Sequence, residues 1–267
     1  MTAVARSREV LRTYPWYVLG LLIAATTWEL SSAALGAHRL PSIGQVAAQF
    51  LPLMTKSPTL SFQGGGDAGY LPHLVHTVLY TLGGAALGCS AGILVGLAMA
   101  RYRLVRGIAE VPIELLRTIP PLAAIPFILI WIGPGNSSQL LMVGYYAFVM
   151  MVVTTLNAAS NVEPLLPTFA ATLGASGNRV FRTVVLPAML PTIVGGIRVA
   201  IGIAWSVQVV AELMGGRYGM GKVFSAMVSF QALDAIIVGI LWLALSAVVV
   251  DLLLVAAIRR LTRWMPN

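Results

Sequence analysis

Stretches of about twenty apolar residues recur along this chain, closed by arginines or by glycine and proline turns, and that recurrence leaves few folds open. A helix needs about 20 predominantly apolar residues to cross the hydrocarbon core of a bilayer. Of 267 residues, 58% are hydrophobic and 10% are charged, whereas soluble domains carry about 25% charged residues. The fold class expected is therefore all-α and integral to the membrane. About six transmembrane helices are predicted, at 14–35, 74–99, 111–132, 139–156, 188–213 and 233–258, in a single domain over 14–267 that follows a short N-terminus at 1–13.

Arg6, Arg8 and Arg12 precede the first run, as in a secretory signal peptide. That run exceeds an h-region of about 7 to 15 residues and further runs follow, so it reads as a retained span. Tyr14, Trp16 and Tyr17 at its start are rings that settle at headgroup level.

The net charge of +8 does not indicate nucleic acid, because the basic residues flank apolar runs instead of lining one face of a soluble fold. Six spans put both termini on one side. Arg6, Arg8, Arg12, Arg101, Arg103, Arg106, Arg179, Arg182, Arg259, Arg260 and Arg263 then share a face, against Arg39, Lys56, Arg217 and Lys222 on the other. The richer face is cytoplasmic by the positive-inside rule, which puts both ends of a multi-pass chain inside.

Between the spans, Ile43, Val46, Ala47, Phe50, Leu51 and Met54 follow helical spacing and predict an amphipathic surface helix. The stretch 56–69, with Gly64, Gly65 and Gly66, reads as an exposed loop. Gly84, Gly88, Gly92 and Gly96 form a stripe on the second span along which another helix can pack closely. Pro112, Pro120, Pro121 and Pro126 disrupt the third span, whose freed backbone groups require protein or a water-filled cavity around them. A glycine-rich connection runs through 215–231.

The polar interval after the fourth span carries the clearest motif, TFAATLGASGNRVFRTVVLPAMLP at 168–191. Gly174 permits a break, Pro167 suits a helix start and Pro187 ends one element and opens another, so two short helices with a bend are expected. From the residues alone, a hairpin with Phe169, Leu173, Phe181 and Val184 on its apolar faces could equally lie on the membrane surface.

Charges within spans are costly and mark function or pairing. Arg198 and Asp251 lie about 15 Å and about 12 Å from the same face at about 1.5 Å per residue. They are candidates for a structural ion pair, with anion attraction the other reading of Arg198. Glu114 and Arg117, three apart, read as a local pair. Glu29 and Glu212 approach the outer ends of their spans, where either could face a cavity. His73 and His76 have no evident third ligand, so no metal site is assigned. Gly216, Gly221 and Lys222 imitate a Walker A loop, but Val223 stands where Ser or Thr would hold magnesium. With Cys89 the single cysteine, an intrachain disulfide is excluded.

The 168–191 segment resembles the EAA loop of permease subunits of binding-protein-dependent ABC importers. Gly174 is followed after nine residues by Val184, Val185, Leu186 and Pro187, as in that pattern, and Ala170 matches its second alanine. Thr168 stands in place of the family glutamate and Phe169 in place of the first alanine. RTIPPLAAIPFILIWIGPG at 117–135 and AELMGGRYGMGKV at 211–223 are similar to the nitrate, sulfonate, taurine and bicarbonate branch.

The resemblance implies a type I ABC importer permease with a cytoplasmic coupling helix between spans 4 and 5, in a loop at 162–187. The coupling residues it implies are Thr168, Phe169, Ala170, Leu173, Gly174, Ala175, Arg179, Arg182, Leu186 and Pro187. Candidates for the translocation path are Arg117, Pro120, Pro121, Arg198 and Glu212. The implied partners are a second copy of the chain in a homodimer, a cytoplasmic ATPase dimer that carries ATP and magnesium, an extracytoplasmic solute-binding protein, and membrane lipid, with no nucleic acid. No catalytic, cofactor or metal residue is assigned to this chain, which is expected to be a transport subunit and not an enzyme. Its cargo would be a small oxyanion such as a sulfonate, taurine or nitrate, with a thiamine-precursor pyrimidine, a flavin or another small organic molecule as the alternative. An ion-coupled secondary transporter or channel is the rival class, for which Asp251 is the sole deep acid.

Overall fold

The computed structural model describes residues 3–36, 38–62 and 66–261, without the side chains of 3–14 and 261. In hydrocarbon, backbone amides and carbonyls find partners only within the protein, and among these residues helix is the regular structure throughout. The elements are α1 (Ala3–Leu35), α2 (Ile43–Phe50), α3 (Pro52–Thr55), α4 (Pro58–Phe62), α5 (Leu71–Arg101), α6 (Arg103–Thr118) and α7 (Pro121–Ile132). They continue as α8 (Asn136–Ser160), α9 (Leu165–Thr172), α10 (Gly177–Val180), a π-helical turn (Phe181–Val185), α11 (Leu186–Gly215), α12 (Met220–Ser229) and α13 (Leu233–Leu261). Among the described residues, five segments are long and apolar enough to cross a membrane, and α6 with α7 makes a sixth if the bent pair counts as one span.

The chain divides into two units. One is the chain up to Leu71 with Val223–Leu241. Here helix begins at Ala3 and runs through Pro15, and the part of it long and apolar enough to cross a membrane is Pro15–Leu35. The side chains of Arg6, Arg8 and Arg12 fall outside the description, as do Gly64, Gly65 and Arg263.

The amphipathic stretch after the first span is α2 and α3. A capping box opens α2: Gln45 N donates to Ser42 Oγ at 3.2 Å, and Ser42 N donates to Gln45 Oε1 at 2.9 Å. Glu29 Oε1 accepts from Ile43 N at 2.9 Å. That carboxylate therefore serves the open N-terminus of α2, where a negative charge is favoured.

The stretch expected as an exposed loop, 56–69, contains α4, with Leu60 1% exposed. Tyr70 pins its end, donating from its backbone to Leu53 O at 2.9 Å and from its hydroxyl to Ala235 O at 3.2 Å. Burial first, and then the charge of Asp234, pushes the Tyr70 phenol above its ordinary pKa. Gln49 donates to the Asp234 carboxylate.

The second unit, Pro72–Lys222 with the chain from Trp242, is built around α8. Of the apolar window in α8, 44% is buried, against 6% for that of α1. The glycine stripe of α5 lies against it: a Cβ on Gly84 would meet Val143 Cβ at 2.7 Å, one on Gly92 Phe148 O at 2.5 Å, and one on Gly96 Thr155 Cβ at 2.6 Å. From α11, Gly196 makes a similar close approach to Thr154. Around these contacts the core forms from Cys89, Ala147, Met151, Met189, Ile193 and Ala200. Large apolar side chains such as Leu87, Leu94, Ile130 and Trp131 remain outside, as expected of a chain solvated by lipid.

Two departures from the sequence reading concern proline. The stretch predicted as one span at 111–132 is two helices, bent by 98° at Ile119 and Pro120. Pro120 and Pro121 bring no amide hydrogen to the first turn of α7, and Tyr145 Oη donates to Leu116 O at 2.7 Å where α6 ends. Pro187, by contrast, does not separate two elements. Gly177–Gly215 is one continuous helical rod in which the π turn directly precedes the proline.

Adding side chains to the α5 stripe tests the packing. Inserting bulk into a filled contact costs about 1–3 kcal/mol or more, so Gly92→Leu is expected to lower the melting temperature in detergent or abolish folded expression. Gly107→Leu on α6, where a Cβ meets nothing within 4 Å, is expected to melt like the unaltered chain.

Candidate coupling and translocation sites

The predicted coupling residues fall on a short helix, a turn and the head of the α11 rod. Helix α9 ends in a Schellman motif. Gly174 N donates to Ala171 O at 3.0 Å and Ala175 N to Ala170 O at 3.2 Å. Gly174 has φ +85°, a left-handed conformation in which glycine pays no Cβ penalty.

The turn leaves Phe169 64% and Leu173 76% exposed. An uncovered phenylalanine and leucine on one short helix make an apolar knob. Thr168 is exposed and its hydroxyl turns inward to Pro164 O at 2.8 Å. Arg179 and Arg182 are exposed, while Ala170, Ala175, Leu186 and Pro187 are half-buried. Val185 joins the core that holds Met189 and Ala158, tying the loop to the end of α8.

The path candidates do not converge. Arg117 and Pro121 border one cavity of about 90 Å³ at the bend, with Pro120 beside them. A larger cavity of about 500 Å³ opens next to it, lined by Leu116, Ile119, Ala123, Phe127, Leu141 and Tyr145. Both are lined from α6, α7, α8 and the bend alone. Arg117 is held by Glu114 at 2.8 Å on an exposed face.

Arg198 and Asp251 come together from α11 and α13. The guanidinium donates from Nε to Oδ1 and from Nη2 to Oδ2, both at 2.6 Å. This two-pronged geometry matches the planar fork of arginine to a carboxylate. Arg198 is not covered by its own chain.

Glu212 lies in the last turn of α11, as expected of a residue near its span end, but it is completely buried and faces no cavity. Thr77 Oγ1 lies 2.9 Å from Oε1 and 3.0 Å from Oε2, Gln208 Nε2 donates to Oε1 at 2.8 Å, and Gly221 N donates to Oε2 at 3.0 Å. His76 Nδ1 approaches Oε1 to 3.5 Å without hydrogen-bond geometry. Thr77 also accepts from Met220 N at 2.8 Å, and His73 Nδ1 accepts from Gly219 N at 3.1 Å.

The loop that imitates a Walker A motif is therefore a wrapping around a carboxylate. Gly219, at φ +110°, lies so close to Glu212 that a side chain there would collide with the carboxyl group, and a Cβ on Gly221 would meet Glu212 Cβ at 2.6 Å. Sequence reasoning singled out Glu212 but not Thr77 or Gln208. Gln208, four residues before Glu212 on the same helix, was the available signal. His73 and His76 are absorbed into this cluster, and among the described residues no group of three metal-ligating side chains assembles.

Comparison with known proteins gives these features a family. The model of the binding-protein-dependent transport system inner membrane component matches residues 88–265. The taurine transport system permease protein TauC of Escherichia coli (strain K12) is 36% identical over 202 residues, covering 76% of this chain and 74% of that protein. The putative aliphatic sulfonates transport permease protein SsuC of Bacillus subtilis (strain 168) is 28% identical, covering 97% and 91%. The nitrate import permease protein NrtB of Synechococcus elongatus is 29% identical, covering 83% of each.

Among solved structures, an inward-facing conformation of the MetNI methionine ABC transporter superposes with a TM-score of 0.60 over 79% of this chain and 100% of that one, at 17% identity. That likeness is one of fold. The chain belongs to the family of binding-protein-dependent transport system inner membrane components. It is an ABC importer permease subunit of the inner membrane, and such subunits are not themselves enzymes.

Removing the carboxylate tests what Glu212 does. Glu212→Ala leaves the Gly221 amide facing no acceptor, at about 1–3 kcal/mol for a buried group left unpaired. Thr77 keeps His73 O and Gln208 keeps Gln139 Oε1, each at 3.0 Å, and the lost carboxyl leaves a void among them. A drop of several degrees in melting temperature is expected, smaller for Glu212→Gln, which keeps one acceptor. A path-lining residue would instead give an alanine variant that melts normally and transports poorly.

Proposed function

We propose that two copies of this chain form the transmembrane pathway of an importer for a small oxyanion of the sulfonate or nitrate kind. A cytoplasmic ATPase dimer holds ATP and magnesium, and an extracytoplasmic binding protein delivers the solute. The loop at 162–187 docks on the ATPase and both termini face the cytoplasm. The observation that carries this reading is the uncovered Phe169 and Leu173 knob, set by the left-handed Gly174 at the head of the α11 rod. An apolar patch with a polar rim is what a partner's cleft takes up. The positive-inside rule puts its flanking Arg179 and Arg182 on the ATPase side.

The cargo class rests on the named solutes of the relatives, taurine, aliphatic sulfonates and nitrate. The arginines do not carry it, since Arg117 and Arg198 are each already paired with a carboxylate. We assign the Arg198–Asp251 pair a structural role, clamping the α11 rod to α13 so that movement of the loop displaces both.

Proteoliposomes containing this chain, its ATPase and its binding protein test the proposal with radiolabelled taurine, an alkanesulfonate and nitrate. Uptake of at least one is expected only with ATP inside and binding protein outside. Uptake driven by a proton or sodium gradient without ATP would identify the rival transporter class. In the same assay, Arg198→Asp and Asp251→Arg are each expected to abolish uptake and the double exchange to restore it. Loss without restoration would mean that Arg198 acts on the solute.

A further inference from the structure

Arg101, the last residue of α5, has a setting unlike that of the other arginines described. Its Nε is buried with no hydrogen-bond partner. Among the described residues it joins no ion pair, in contrast to Arg106, Arg117 and Arg198. Its guanidinium carbon instead stands 5.3 Å from the ring centroid of Tyr102 and 5.9 Å from that of Phe181. Both fall within the about 6 Å over which an aromatic face attracts a cation.

The two rings belong to two movable places. Tyr102 is extended, with φ −119° and ψ 115°, and forms the hinge between α5 and α6. Phe181 opens the π turn, where Leu186 N donates to Phe181 O, five residues back. A π turn holds one residue more than α-helical winding allows. Winding it back to α would rotate one side against the other by about 100° and advance it by about 1.5 Å. Upstream lie α9, Gly174 and α10; downstream lies α11 with Arg198 and Glu212.

We propose that Arg101, gripping Phe181, is the positioning residue through which the register of the π turn is communicated to the α5–α6 hinge. The proposal rests on the coupling role of the 162–187 loop given above. A cation over a ring has a broad energy well and tolerates sliding, whereas the two-pronged Arg198–Asp251 pair fixes one geometry. A joint between moving parts calls for the first kind. From the hinge the movement passes into α6, whose Val105, Ala109 and Leu116 pack on buried Met99, Ile113 and Val152, and so reaches the bend at Pro120.

A topological arginine at a span edge would have no need of Phe181, and that difference can be measured. Spin labels are placed on either side of the hinge, at Leu94→Cys on α5 and Leu104→Cys on α6, both exposed, with the buried Cys89 replaced by alanine. Distances are compared between nucleotide-free and ATP-vanadate-trapped complexes of this chain with its ATPase. With α6 carried along by the turn, a shift of up to about 4 Å is expected across the hinge, the displacement that a rotation of about 100° at a Cα radius of about 2.3 Å with a rise of about 1.5 Å gives the π turn.

Phe181→Tyr, which keeps a ring face, should retain the shift. Phe181→Leu, which keeps apolar bulk only, should cut it to less than half, and Arg101→Gln should do the same from the other side of the contact. Either variant decides the matter if the other fails to assemble, and combining them should cause no further loss. A full shift in Phe181→Leu or Arg101→Gln, or none in the unaltered complex, overturns the proposal. Failure of any ATPase to co-purify with the chain would overturn instead the coupling reading beneath it.

Discussion

Backbone groups that have no water to turn to are the constraint on which the rest of this structure depends. Where the chain is plainly helical, each span satisfies itself and the helices differ only in how closely they approach. Where prolines break it, the freed groups must be met from elsewhere. Tyr145 reaches across from α8 to Leu116 O at the end of α6, so the 98° bend is held by the helix at the centre of its unit. The cavities at the bend are bounded by that same helix, and a span broken beside a cavity can alter its angle without abandoning a complete hydrogen-bonded rod.

The charges in the spans are sorted by what surrounds them. Glu212 is enclosed by donors from three places, the side chain of α5, a neighbour on its own helix and the backbone of the glycine loop. That arrangement joins α5 to α11 through groups that would be costly to separate. Arg198 and Asp251 are open to their surroundings but fully engaged with one another. Neither site offers a bare charge to a passing anion. Phe169 and Leu173 are the opposite case, an apolar knob left exposed among the described residues.

Much of this was legible from residue types and spacing. The glycines at every fourth position announced a close helix contact, because only a missing Cβ lets two backbones approach so nearly, and Gly174 announced a break between two short helices. Arg198 and Asp251 could be matched by depth alone, since both distances follow from helical rise. What escaped was decided by long-range contacts. Glu212 does sit near its span end, but its enclosure was not legible, because the glycine loop that covers it is adjacent in sequence yet folds back by a path no periodicity reveals. Helix α4 and the burial of Leu60 and Tyr70 were hidden in a stretch whose composition resembled a loop.

Proline was the least transparent signal. Pro120 and Pro121 produce a sharp bend, yet Pro187 sits inside a continuous rod because the preceding π turn has already shifted the bonding register. The difference lies in the turn before the proline, not in the proline.

The central claim, that the knob at Phe169 and Leu173 meets an ATPase, is tested most directly by cross-linking in membranes. Phe169→Cys is introduced into a chain lacking Cys89, with Asp67→Cys, in the stretch that the positive-inside rule predicts to be extracytoplasmic, as the control. A short bifunctional reagent should join the Phe169 position to the ATPase subunit and leave the Asp67 position unlinked to it. Linkage from position 67 with none from position 169 would contradict both the docking site and the membrane orientation on which it depends.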